Sequence, residues 1–268
     1  FGCRVRGIET AGGRARGVAL QGSGRFAAGK VILASGGVSY AFTGSSGDGH
    51  EMARALGHDV TPLLPALAPL RTARQYPSLD GLLLKNVKAV FSFSVKGRKK
   101  RLESPVGEIV FHSRGIGGAL ILSISGRISR LLAEGEKVDL EIDLKPGLER
   151  AVLEARLLRE FGSAPGSRIE KILCALMPAR LAAVFCRECG VECRKQAGQI
   201  TSAERGRIVE HMKSFVLSIK GASLQEAMVT CGGVSLKQID PRSMESRLVK
   251  GLYFAGEIID LDADTGGF

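Results

Sequence analysis

The sequence predicts a mixed chain, α/β at its two ends and α+β between them, in which two distant segments build one domain around an insert. Three observations carry this. Short strand-like runs separated by glycine turns open the chain, and the same texture returns from about Ala222. Pro62, Pro65 and Pro69 follow one another closely and mark a connection rather than an element. The residues after them run first in short alternating segments and then at helical spacing. The expected segments are therefore 1–62 and 222–268 for the outer domain and 63–221 for the insert.

Taken in order, residues 3–8, 15–20 and 25–28 read as strands joined by turns at Gly12-Gly13 and at Gly22-Ser23-Gly24. Lys30-Val31-Ile32-Leu33-Ala34 is the continuous run expected of a strand buried on both faces, and it ends at Gly36-Gly37. A helix follows, capped near Asp48, with Met52, Ala53, Ala55 and Leu56 on one face and Gly57 at its left-handed end. Within the insert, residues 85–94, 99–103, 108–111 and 137–144 read as antiparallel strands of a small barrel or sheet, with a helix over 118–132. Residues 146–218 turn helical, on Leu148, Val152, Leu153, Leu157 and Leu158 and then on Ile169, Ile172, Leu173 and Leu176. The closing segment carries strands at 227–230 and 251–255, with Gly232-Gly233 and an Asp240-Pro241 turn between them.

Composition narrows the class. With 44% hydrophobic and 24% charged residues among 268, the chain can bury a core in two domains and is not a disordered tail. Its 38 Lys and Arg against 27 Asp and Glu give a formal +11, which raises a polyanion: nucleic acid, an anionic membrane or a phosphate-bearing cofactor. The dense run Lys96-Gly97-Arg98-Lys99-Lys100-Arg101 sits where a hairpin tip is expected and reads as a solvated turn. No Trp and 3 Tyr leave few platforms for stacking single-stranded bases. The expected partner is a small-molecule substrate, with no nucleic acid and no membrane. The longest uncharged stretches, 31–47 and 115–126, are too short to span a bilayer.

Cys186, Cys189 and Cys193 have a metal-like or redox-like spacing, but no second pair of ligands follows them at a zinc-like distance. They read as reduced thiols around a helix end, with no metal site. Without a disulfide framework or a signal peptide, the expected location is the cytoplasm.

Two motifs carry chemistry. In the first, the run ending in Ser35-Gly36-Gly37 leads to Thr43-Gly44-Ser45-Ser46-Gly47-Asp48-Gly49. Here a strand feeds a glycine pair whose amides can approach a planar or anionic ligand before a helix opens. In the second, Gly251-Leu252-Tyr253-Phe254-Ala255-Gly256-Glu257 delivers a carboxylate at a strand end, where it can accept from sugar or ribityl hydroxyls. Asp260, Asp262 and Asp264 follow, then Thr265-Gly266-Gly267-Phe268; a calcium or solvated loop is the alternative, without the EF-hand Gly and terminal Glu.

Together with Pro65-Ala66-Leu67, Val229-Thr230-Cys231-Gly232-Gly233-Val234 and Ile239-Asp240-Pro241, these segments resemble the HI0933-like (YhiN-like) bacterial NAD(P)/FAD-dependent oxidoreductases. The resemblance implies a Rossmann-like FAD-binding domain, here incomplete, interrupted by a small antiparallel β-barrel with helices. It implies FAD as cofactor, with NAD(P)H as a donor, and hydride transfer through the flavin to a small organic substrate. The alternatives are an oxygen-using amine oxidase and a non-catalytic basic RNA-binding module.

Carried over to this chain, Ser35, Gly36, Gly37, Thr43, Gly44, Gly47 and Asp48 would line FAD, and Gly256 and Glu257 would hold its ribityl or pyrophosphate region. Gly232, Gly233, Asp262, Thr265, Gly266, Gly267 and Phe268 complete the candidate cofactor set. His112 stands beside the position of a family histidine and is the candidate substrate-facing group; Cys231 could face the flavin or be a small buried thiol. The family's opening Gly-x-Gly-x-x-Gly turn does not precede Phe1, so the chain reads as a fragment, inactive by itself.

Overall fold

The computed structural model describes residues 2–263. The chain begins with β1 (Val5–Ala11), β2 (Arg14–Leu20), β3 (Arg25–Ala27), β4 (Val31–Leu33), α1 (Asp48–Ala55), β5 (Leu64–Ala66) and β6 (Leu70–Thr72). Its middle holds β7 (Leu83–Val95), β8 (Arg98–His112), β9 (Gly115–Gly117), α2 (Ala119–Ala133) and β10 (Val138–Asp143). Then come α3 (Arg150–Ser163), α4 (Ile169–Leu173), α5 (Ala179–Glu188), α6 (Ser202–Lys213), β11 (Phe215–Ala222), β12 (Val229–Cys231) and β13 (Leu252–Phe254). These elements fall into two units: Phe1–Ala68, Ser123–Arg130 and Ala222–Phe268 make one, Pro69–Leu122 and Leu131–Gly221 the other.

In the first unit, β1, β2 and β3 form an antiparallel meander closed by the predicted glycine turns. β4 pairs in parallel with β13, Val31 against Leu252 through Leu33 against Phe254, so segments more than two hundred residues apart meet side by side. β5 pairs antiparallel with β12, which keeps residues 63–68 in this unit. Leu33, Ala53, Val234, Leu252, Phe254 and Ile258 are the centre of its core.

Two expectations change here. β4 is not buried on both faces: Ile32 is 69% exposed, because its outward side forms the floor of an open cavity rather than meeting a packed layer. Helix α1 is capped near Asp48 as expected, by left-handed Gly47. Asp48 is the first helical residue and pairs with Arg4 at 2.6 Å, which holds its carboxyl below the usual aspartate range. The helix buries Gly49, His50 and Ala53; Ala55 is exposed.

The second unit holds a closed barrel in the order β10-β11-β6-β9-β8-β7, filled by Leu70, Phe91, Ile109, Phe111, Ile116, Leu140, Ile142 and Phe215. Its closing strand β11 falls where helix was expected up to residue 218. Phe215, Leu217 and Ile219 point inward and Val216, Ser218 and Lys220 outward, a period of two that overrides the helical texture before it. α3 buries Leu153, Leu157 and Phe161, whereas Val152 and Leu158 of the expected apolar face are about half exposed. α6 opens on a capping box between Thr201 and Glu204.

The cysteines at the end of α5 are bonded locally. The Cys189 thiol donates to the Cys186 carbonyl at 3.4 Å and the Cys193 thiol to the Ala183 carbonyl at 3.6 Å. Burial pushes the Cys186 thiol well up and that of Cys189 to about 11. Among the described residues, no helix is long and apolar enough to cross a membrane.

Candidate functional site

Because β4 and β13 run parallel, their carboxyl ends open on the same edge, which is where open α/β sheets bind ligands. β4 delivers Ser35-Gly36-Gly37 there and β13 delivers Gly256-Glu257. Thr230 of β12 ties the two together. Its Oγ1 accepts from the Val38 amide at 2.8 Å and the Ser39 amide at 3.0 Å, and lies 3.0 Å from Ser39 Oγ. With both lone pairs occupied, its proton is left for Ser39 Oγ. The Thr230 amide donates to Glu257 Oε1, fixing that carboxylate at the strand end.

Gly37 is required by this junction. A Cβ there would lie 2.2 Å from Thr230 Oγ1 and 2.5 Å from Thr230 Cβ, inside any real contact, and a tight 3.0 Å from Glu257 Cδ. Ser35 Oγ fills the space a side chain on Gly49 would need, so the loop and the first turn of α1 close on each other.

A cavity of about 620 Å³ lies beside this loop, with Val18, Val31 and Ile32 as apolar floor and Ser35, Gly44, Ser46 and Asp48 at its rim. Of the predicted residues, Ser35, Gly44 and Asp48 line it. Thr43 is exposed, its hydroxyl donating to the Tyr40 carbonyl at 2.8 Å. Glu257, Gly256 and Asp262 line a smaller cavity of about 220 Å³ with Val229, Met244 and Leu261.

The structure also brings in residues that the sequence did not single out. Arg130 of α2 reaches Asp262 at 2.5 Å and interacts with Cys231, whose thiol burial raises to about 11. Ser125 Oγ accepts from the Ala68 amide at 3.0 Å, and Gly126 lets the helix approach Ala66. Gly232 and Gly233 lie against the chain's own backbone, at Pro62 and at Ile258 to Asp260. His112 is exposed at the end of β8 in the second unit, its ring over Gly117, where a Cβ would lie 2.6 Å from Nε2. Thr265, Gly266, Gly267 and Phe268 lie outside the described residues.

His50 is fully buried on α1, and neither ring nitrogen reaches hydrogen-bond geometry with a partner among the described residues. Burial first, then the Arg54 charge, lowers its pKa; the Ile258 backbone and Glu257 oppose this weakly. His58 is buried too, 2.7 Å from Ser246 Oγ, and burial lowers its pKa as well. Both imidazoles take protons more readily in the unfolded chain, whose ordinary value is 6.5. The stability they confer is therefore present above pH 6.5 and lost as pH falls from there through the lowered folded values. Thermal unfolding of the full chain is expected to show a falling midpoint over that window, and His50→Gln is expected to flatten the fall.

The whole chain, residues 1–268, matches the family described as HI0933-like protein Rossmann domain. The chain belongs to that family. Among curated relatives it is 27% identical over 269 residues to the 3-dehydro-bile acid delta(4,6)-reductase of Clostridium scindens, covering 100% of this chain and 64% of that protein. It is 28% identical over 242 residues to the ribosomal RNA dihydrouridine synthase of Haemophilus influenzae and 27% over 250 residues to that of Escherichia coli. Each of these two matches covers 89% of this chain and 56% of the relative. The chain thus spans between 56% and 64% of these proteins' length.

Proposed function

We propose that this HI0933-like chain supplies most of the FAD site of a flavin-dependent reductase acting on a carbon–carbon double bond conjugated to a carbonyl. The observation that carries the reading is the junction of Gly37, Thr230 and Glu257 at the carboxyl ends of two parallel strands. The relatives' names support the reaction class, since delta(4,6) reduction of a 3-dehydro steroid and conversion of uridine to dihydrouridine both saturate such a bond.

When bound and reduced by a nicotinamide, FAD would supply the hydride, and the protein supplies position and polarity. Gly36 leaves the backbone at the end of β4 partly open to a ligand, and Gly37 lets Thr230 and Glu257 pack behind it. Glu257, oriented by the Thr230 amide, accepts from a ribityl or sugar hydroxyl. Val18, Val31 and Ile32 give a flat ring an apolar bed, and Ser35, Gly44 and Asp48 give it a polar edge. The barrel unit is the inserted substrate domain, and a reduced nicotinamide is the donor.

The test is the full-length protein purified from cells. It is expected to carry an oxidised flavin spectrum that bleaches with NADH or NADPH and recovers with an α,β-unsaturated ketone or uridine acceptor. Colourless protein that FAD cannot reconstitute sinks the reading.

One observation favours a polynucleotide as the carrier of the reducible base. The barrel unit holds 25 Lys and Arg against 16 Asp and Glu, while the rest of the chain holds 13 against 11.

A further inference from the structure

The excess charge is concentrated further still: residues 69–122 alone contain 10 Lys and Arg against 3 Asp and Glu. Seven of those cations sit on the β7–β8 hairpin, whose strands run 13 and 15 residues. The turn between them is only Lys96-Gly97, both left-handed, so strand pairing continues from Val95 opposite Arg98 to Ser92 opposite Arg101. Strand alternation then places Arg98 and Lys100 on one side and Lys99 and Arg101 on the other, with same-side neighbours about 7 Å apart.

Several cations of the unit are neutralised, Lys88 lower on the same hairpin among them. Lys88, Lys195, Arg205 and Lys213 each hold a carboxylate within 3.0 Å. Among the described residues, Lys96, Arg98, Lys99 and Lys100 form no ion pair, and all four are exposed. Below them is a groove of about 590 Å³ lined by Phe93, Ser94, Lys99, Lys100, Arg101 and Lys137. Of its three carboxylates, Asp139 accepts from Ser218, and Glu141 is taken by Ser92, Ser214 and Arg101. Glu136 is the third.

From this geometry we infer that the β7–β8 hairpin tip and its groove bind the phosphate backbone of a nucleic acid. Cations repeated along a strand match a repeated charge better than a single anion. A membrane-binding tip would present large apolar side chains, whereas Phe93 and Val95 are half-buried and the exposed Leu83 and Val106 lie away from the tip. The exposed charge run at the hairpin turn would then serve as an arm. The inference rests on this surface and not on the flavin reading.

The experiment is fluorescence anisotropy of a labelled single-stranded RNA with the full-length protein, titrated between 50 and 200 mM salt. The triple variant Arg98→Gln, Lys99→Gln, Lys100→Gln is expected to flatten the slope of log affinity against log salt by about 2, from roughly 0.7 per lost contact. A control that removes equal charge from exposed positions outside the hairpin, Arg159→Gln, Lys171→Gln, Arg194→Gln, is expected to leave the slope unchanged. Equal slopes for the two triples overturn the proposal, as does wild-type protein that fails to bind RNA at 50 mM salt. So does a hairpin triple that loses binding to phosphatidylserine vesicles while keeping its RNA slope. Should the triple fail to fold, Lys99→Gln with Lys100→Gln is read against the same control. An unchanged flavin spectrum in the hairpin variant separates this result from any failure of the cofactor site.

Discussion

Replacing Thr230 with valine is expected to destabilise the first unit by roughly 2–4 kcal/mol, with a matching loss of flavin affinity. Valine keeps the shape of threonine and removes one oxygen. That oxygen accepts from two amides, Val38 at 2.8 Å and Ser39 at 3.0 Å, and Thr230 is only 2% exposed, so water cannot replace it. Each orphaned buried donor costs about 1–3 kcal/mol. Thr230→Ser retains the hydroxyl and is expected to lose much less. Urea unfolding of the pair separates the oxygen from the methyl group. Equal losses in the two variants would mean that packing, and not the hydrogen bonds, matters at this position.

Gly233→Ala is expected to be the other large loss, several kcal/mol, because two costs fall together. Its φ of +149° is a conformation that a residue with a Cβ rarely adopts. The added Cβ would also lie 2.5 Å from the Ile258 carbonyl oxygen and 2.7 Å from the Ile259 carbonyl carbon, both backbone atoms that cannot rotate away. Gly57 is the comparison: its φ is +86° and a Cβ there meets nothing within 4 Å. Gly57→Ala should therefore cost only the left-handed strain, about 1–2 kcal/mol. Unfolding midpoints for the two variants that fall together would contradict the assignment of Gly233 to backbone packing.

What the sequence made legible follows from how local each signal is. The glycine-ended strands at residues 36 and 256 were readable because strand, glycine pair and carboxylate are contiguous, and the parallel pairing of β4 with β13 places both on one edge. The barrel hairpin was readable from alternation. Thr230 was not, since its partners lie 192 and 191 residues away and nothing near it in sequence distinguishes a hub from an ordinary strand threonine.

Ile32 misled for the opposite reason: a continuous apolar run reads as buried whether the layer over it is protein or open cavity. β11 was hidden because Phe215 follows a helix with only Ser214 between them, so a window across the join mixes two periods. Arg130 lies on a helix whose sequence gives no sign that it will meet Asp262 and Cys231. The charge run at Lys96 to Arg101 was legible as an exposed hairpin turn, because lysine and arginine around a left-handed Lys-Gly pair are a local signal.

The measurement that bears most directly on the central claim is FAD titration of the full-length protein, wild type beside Glu257→Ala, followed by flavin fluorescence. The wild type is expected to show a saturable site and the variant a 10- to 100-fold weaker one, from roughly 1–3 kcal/mol for the lost partner of the Thr230 amide and the lost acceptor. Wild-type protein that does not bind FAD, or a variant that binds it equally well, would contradict that claim.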